Sequence, residues 1–249
     1  MKYFVTSDIH SFFTIFKQEL NSKGFDINNP EHYLIICGDY TDRGKETRKV
    51  IDFLLSIPED RLLLVKGNHE WLMKDCLNQL SRYEVPDAHH FSNGTIDTIC
   101  QLHRLGKTRL LHGEYDFLNL RKNMEPYFKL VNRAKNYIEI GDYIFVHGWI
   151  PHIRDYNNLK DCDDNCWKQA SWLNGMEEWY NGWKLERKTI VCGHWHTSFG
   201  NYNYHNKGSG EFEKDSDFSP FIDNGIIALD ACTAYTKLCN IIVIDGENV

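Results

Sequence analysis

The sequence predicts an α/β fold in which a largely parallel sheet is flanked by helices. Three observations carry the prediction. Short runs rich in Val, Ile and Leu alternate with amphipathic stretches whose apolar residues recur at helical spacing. Each apolar run stops at Asp, Asn or His, often behind a glycine. No internal repeat or linker-like stretch interrupts the first 200 residues, so residues 1–249 read as one domain.

The elements follow in order. Residues 2–7 form a buried strand that ends at Asp8, and residues 11–20 a helix with Phe12, Phe13, Ile15, Phe16 and Leu20 inward. Residues 32–37 are a second strand, followed by a helix over 46–56 that buries Val50, Ile51, Leu54 and Leu55. A third strand over 61–66 ends at Gly67 before a helix over 69–80. Residues around 82–134 and 155–187 read as helical insertions over the site, with a Trp-rich helix inside 165–185. Residues 137–140 and 143–146, joined at Gly141-Asp142, form a hairpin ending at His147. Residues 189–192 are again a strand. Residues 199–225, rich in Gly, Asn, Ser and Tyr, read as a long mobile loop, and strands over 226–230 and 240–245 close the sheet.

Composition narrows the function classes. With 42% hydrophobic and 25% charged residues the chain is an ordinary soluble globular protein. No apolar run reaches the ~18 residues that a membrane helix needs. The first residues meet Asp8 too soon for a secretory signal, so a cytoplasmic location is expected and no membrane partner. Cys37 and Cys192 sit inside apolar runs and read as small buried residues; Cys162 and Cys166 lack a second Cys/His pair at zinc-finger spacing and read as reduced thiols near a helix start. A net charge of −7 without polybasic runs argues against a nucleic-acid polymer as partner. An acidic protein acting on phosphate must supply positive charge locally, which points to metal.

Five strand ends share one design, an apolar run followed by a small residue or turn and then Asp, Asn or His. They are Ser7-Asp8-Ile9-His10, Cys37-Gly38-Asp39-Tyr40-Thr41-Asp42-Arg43-Gly44, Lys66-Gly67-Asn68-His69-Glu70, Val146-His147-Gly148 and Cys192-Gly193-His194-Trp195-His196-Thr197. In Asp-X-His the two side chains fall on the same side of an extended backbone and can grip one ion. Oxygen and nitrogen ligands without thiolate suit manganese, with iron, zinc or nickel as alternatives. Taken singly, each Asp is a helix cap and each His a satisfied polar residue; five together at the ends of buried strands are a site.

Taken together, the five fragments resemble the calcineurin-like metallophosphoesterases, and in particular the phosphoprotein phosphatase branch that includes bacterial Ser/Thr protein phosphatases. The motifs carrying the resemblance are Asp-X-His, Gly-Asp-X-X-Asp-Arg-Gly and Gly-Asn-His-Glu, and the match runs from residue 8 to 197. The resemblance implies a four-layer α/β (α+β) fold, a β-sandwich of two mixed sheets flanked by helices, in place of the single parallel sheet. It also implies two divalent metal ions: Asp8 and His10 hold the first, Asp39 bridges, and Asn68, His147 and His194 hold the second. A metal-bridging hydroxide is then the nucleophile, His69 the general acid, Asp42 its orienting partner, and Arg43 the phosphate ligand.

Two departures from the family pattern matter. Lys66 stands where the protein phosphatases carry Arg, offering charge to substrate without a bidentate fork. Ala170-Ser171-Trp172-Leu173-Asn174 supplies no second phosphate-binding arginine, leaving Arg154 and Arg187 as candidates. Gly193-His194-Trp195 resembles the symmetrical dinucleoside tetraphosphatases, while Gly-His-X-His of the wider superfamily makes His196 a seventh candidate ligand. Trp149, Trp172, Trp179 and Trp183 read first as core and second as a wall on which a nucleobase stacks. His89-His90 and His112 have no partner motif.

The expected activity is therefore hydrolysis of phosphate monoesters, with a phosphoprotein or a small phosphoester or nucleotide as substrate. The alternative is a symmetrical dinucleoside tetraphosphatase. A non-catalytic scaffold on the same fold predicts erosion at the ligand or acid positions, and none of those positions is eroded.

Overall fold

A computed structural model describes residues 1–152 and 156–246. Chain order begins β1 (Lys2–Thr6), α1 (Phe13–Ser22), β2 (His32–Cys37), α2 (Thr47–Ser56), β3 (Leu62–Val65) and α3 (Asn68–Ser81). Five helices come next: α4 (Ala88–Ser92), α5 (Thr95–His103), α6 (Lys107–Leu111), α7 (Phe117–Asn123) and α8 (Glu125–Val131). The second half holds β4 (Ile138–Ile140), β5 (Tyr143–Phe145), α9 (Asp164–Ala170), α10 (Gly175–Tyr180), β6 (Thr189–Cys192), α11 (Thr197–His205), β7 (Phe221–Asp223), β8 (Ile226–Ala228), α12 (Thr233–Thr236) and β9 (Ile241–Asp245).

The strands form two mixed sheets, ordered β3-β2-β1-β9 and β4-β5-β6-β8-β7. These are the two mixed sheets that the family resemblance implies, in place of the largely parallel single sheet read from strand–helix alternation alone. Helical crossovers do make β1, β2 and β3 parallel, and likewise β5, β6 and β8. The short β4–β5 and β7–β8 connections allow only antiparallel pairing, and β9 returns antiparallel beside β1 instead of joining β8.

The period-two alternation of the strands sorts their residues into three cores. Phe4, Leu34, Ile36 and Leu64 face the helices α1–α3, α5, α7 and α8. Tyr3, Val5, Ile35 and Cys37 face the other way and meet Phe145, Val191 and Leu229 of the second sheet. Ile144, Ile190, Cys192 and Ala228 pack under Trp167, Met176 and Trp179 of α9 and α10. The layers are thus helix, sheet, sheet, helix.

Two further expectations change. Residues 199–225 are not one loop: most of α11 and all of β7 lie there, because Phe199, Tyr204 and Phe221 have an apolar surface to join. The Trp-rich stretch is two short helices rather than one; Trp167 and Trp179 are helical and buried, while Trp172 and Trp183 lie outside them and are exposed. No helix among the described residues is long and apolar enough to cross a membrane.

Candidate active site

In both sheets the parallel strands point the same way, and the residues just beyond their carboxyl ends meet at one rim. Asp8 follows β1, Asp39 follows β2, Asn68 opens α3 after β3, His147 follows β5 and His194 follows β6. The turns that deliver them are tight. Asp8, His10, Asp39, Asp42, Arg43 and His194 all have positive φ, between 43° and 73°. Such backbone costs about 1–3 kcal/mol per residue and persists only where neighbours over-determine it. Here the loops after β1 and β2 are zipped together, with His10 N–H donating to the Asp39 carbonyl at 3.1 Å, Ser11 N–H to Tyr40 at 3.0 Å and Gly44 N–H back to His10 at 2.9 Å. Glu70 adds a staple, its carboxylate accepting from the backbone N–H of Gly67 at 2.7 Å, Asp39 at 3.0 Å and Tyr40 at 3.2 Å. Gly67 has to be glycine, because a Cβ there would run into the Asp39 carboxylate.

The ligand atoms face one another as acceptor against acceptor. His10 Nδ1 donates to the Thr41 carbonyl at 3.0 Å and His147 Nδ1 to the Cys37 carbonyl at 2.7 Å, while His194 bonds the Trp172 backbone. A carbonyl only accepts, so each of these rings spends its N–H there and turns a lone pair inward. His10 Nε2 is buried without a hydrogen-bond partner, 3.7 Å from Asp8 Oδ1 and 3.5 Å from Asp39 Oδ2. His147 Nε2 lies 3.4 Å from Asp39 Oδ1 and 2.8 Å from Asn68 Oδ1, and His194 Nδ1 lies 3.2 Å from the same Asn68 oxygen. Lone pairs aimed at carboxylates and an amide oxygen fit cations between them, and the donor set suits borderline divalent ions.

Electrostatics agree with that fit. Burial pushes the Asp39 carboxyl well up; His69 opposes this and Asp8 adds to it. Burial, with neighbouring His and Arg43 charges, holds His10 and His194 far below the usual imidazole range, so both are neutral and able to ligate. Asp39 belongs to two potential ligand groups, one with Asp8 and His147 and one with His10 and His69.

His69 borders the same cluster, its ring 4.7 Å from that of His10. Burial lowers its pKa, but Asp39 and Asp42 outweigh that and leave it raised. Its Nδ1 is 2.7 Å from Asp42 Oδ2, and Thr95 Oγ1 donates to the same Asp42 oxygen at 2.9 Å. His69 Nε2 lies 3.3 Å from an Arg43 guanidinium nitrogen and 3.8 Å from Asp39 Oδ2.

Other candidates are placed elsewhere. His196 caps α11, with Nδ1 2.9 Å from Ser198 Oγ and Nε2 3.4 Å from Glu211; both nitrogens are engaged, so it does not join the ligand cluster. Lys66 Nζ sits 4.9 Å over the Trp71 ring and 3.8 Å from Asp164, on the wall of a cavity of about 520 Å³. Arg187 is exposed in a turn and Arg154 lies outside the described residues. Trp149 and Trp179 are core, whereas exposed Trp172 meets His194 edge-on at 5.6 Å.

Sequence reading missed Thr95, Thr98, Glu70 as a staple, and Asp230. Thr95 and Thr98 sit in a helix with no motif, so nothing in the sequence singled them out. Asp230 had a signal: like the others it follows a buried strand, β8, and its buried carboxyl is pushed up by burial and by Asp8.

Comparison with known proteins gives this rim a family. Forty per cent of 68 aligned residues are identical to the symmetrical bis(5'-nucleosyl)-tetraphosphatase of Buchnera aphidicola subsp. Acyrthosiphon pisum, covering 27% of this chain and 23% of that protein. The fold is similar to a mutant of a cold-active protein tyrosine phosphatase, with TM-score 0.56 at 17% identity over 99% of this chain and 76% of that one. A cold-active protein-tyrosine phosphatase of a psychrophilic Shewanella species is similar at TM-score 0.52 and 14% identity, with the same coverage. Residues 1–209 match the family described as calcineurin-like phosphoesterase, and the chain belongs to that family.

Proposed function

We propose that the chain is a dinuclear-metal phosphomonoesterase of the Ser/Thr protein phosphatase type, with manganese as its metal. One observation carries the reading: a cluster of inward lone pairs bordered by a buried His69 paired to Asp42. Asp8, His10 and Asp39 hold one ion; Asp39, Asn68, His147 and His194 hold the other. The bound ions supply Lewis-acid charge to the phosphate oxygens and lower the pKa of water.

The chain's own groups do the rest. Arg43 binds phosphate oxygens and holds the ester beside His69. His69 Nε2 gives its proton to the leaving oxygen as the P–O bond breaks. Asp42 keeps the ring charged and fixed through Nδ1, and Thr95 fixes Asp42.

A second reading, a symmetrical dinucleoside tetraphosphatase, is favoured by exposed Trp172 and Trp195 on either side of His194, where a base can stack. The test is the purified protein with manganese, assayed in parallel on p-nitrophenyl phosphate, a phosphothreonine peptide and diadenosine tetraphosphate. Turnover of the peptide and the aryl ester supports the first reading. A preference of thousands-fold for the dinucleotide overturns it in favour of the second.

A further inference from the structure

We propose that Asp87, His89 and His90 form a third metal site, separate from the paired one, that takes zinc or a similar borderline divalent cation. The three residues stand at the start of α4, and one ligand atom from each lies within 4.8 Å of the others. His90 is the key member. It is fully buried, yet neither ring nitrogen has a hydrogen-bond partner among the described residues. An unpaired buried polar group is costly, and a metal bond is the natural way to satisfy an imidazole beside a second imidazole and a carboxylate. The His89 ring lies 4.0 Å from that of His90.

The carboxylate is already aimed. Gln79 of α3 donates to Asp87 Oδ2 at 2.7 Å and accepts from its backbone N–H at 2.9 Å, which fixes the side chain and leaves Oδ1 for an ion. Burial and the neighbouring His89 lower the His90 pKa against Asp87, Asp75 and Asp42, which favours the neutral ring that can ligate. Two imidazoles and one carboxylate, with no thiolate, are the ligand chemistry of zinc, cobalt or nickel rather than calcium.

Such a site has a mechanical consequence for Asp42. The turn after α4 contains Gly94, whose Cα faces the Arg43 backbone so closely that a Cβ would collide with it. The next residue, Thr95, donates to Asp42. A metal gripping His89 and His90 thus braces the corner that positions the Asp42–His69 pair, without touching substrate.

Stoichiometry separates this site from the paired one. Asp39→Asn protein, which disables the shared ligand of the pair, is dialysed against zinc and its metal content measured, alone and combined with His89→Ala. His89 is exposed, so its removal leaves the core intact even if His90→Ala fails to fold. The expected result is a zinc equivalent in the single variant that is lost in the double variant, with the same loss in the visible absorption of bound cobalt(II). Equal metal content with and without His89, or no zinc in the Asp39→Asn protein, overturns the proposal.

Discussion

Nδ1 of His69 lies 2.7 Å from Oδ2 of Asp42, and both side chains are out of solvent. The pair is held from behind by Thr95 and Thr98, the latter accepting the Asp42 backbone N–H at 3.0 Å. The imidazole is thus held in place by groups of the fold itself.

His69→Asn should lower turnover of an alkyl phosphate by roughly 10²–10⁴-fold while leaving metal content unchanged. The loss should be smaller on p-nitrophenyl phosphate, whose phenolate leaves without a proton. Full activity on the alkyl ester would show that the acid lies elsewhere.

The pH profile should follow His69. Burial lowers its pKa, but Asp39 and Asp42 raise it above the ordinary 6.5. The acid form therefore persists to higher pH, and kcat/KM falls as pH rises through that elevated value. Asp42→Asn removes one of the raising charges, so its alkaline limb should move to lower pH. A limb that stays in place in the variant counts against the pairing.

Thr95→Val keeps shape and removes the hydroxyl that donates to Asp42. A hydrogen bond to a charged group contributes about 1.5–3 kcal/mol, so kcat should fall by about tenfold or more if it is spent on positioning the acid. Steady-state kinetics on an alkyl ester read this directly, and an unchanged kcat would assign Thr95 to packing alone.

Glu70 is a test of the frame. Burial raises its pKa to about 6 although three backbone N–H groups oppose the rise. Glu70→Ala leaves those donors unpaired and should cost about 3 kcal/mol, Glu70→Gln about 1 kcal/mol. Denaturant unfolding of the two variants should rank them in that order.

Manganese should raise the melting temperature by mass action, about 2.7 kcal/mol at a hundred times Kd. Asp39→Asn should abolish most of the rise, since Asp39 faces both His10 and His147. Equal shifts in both proteins would place the metal off this rim.

Much of this site was legible in the sequence for a simple reason. A ligand at the end of a buried strand is announced by the apolar run before it, and the tight turn by the glycine beside it. Asp8, Asp39, Asn68, His147 and His194 all carry both kinds of signal or one of them. What could not be read was anything set by strand order. Direction of pairing depends on connection length and on where β9 docks, so strand–helix alternation alone looked like one parallel sheet, and the two mixed sheets were legible only through the family motifs. The residues that support Asp42 come from α5, far along the chain, where local pattern says only helix. His196 shows the converse: its motif spacing suggested a ligand, and its ring nitrogens lie beside Ser198 and Glu211.

The docking of β9 on β1 also sets when the first sheet is completed. β1 takes β2 on one edge and residues 241–245 on the other, and Thr6 hydroxyl bonds the Asn240 carbonyl at 2.8 Å just before Asp8. A nascent chain is made from the other end, so β1 waits with an open edge while more than two hundred residues are added. Closing so long a loop is slow, and an open edge invites pairing with other chains. Competence to bind metal through Asp8 and His10 should therefore wait until β9 has been made and has docked on β1.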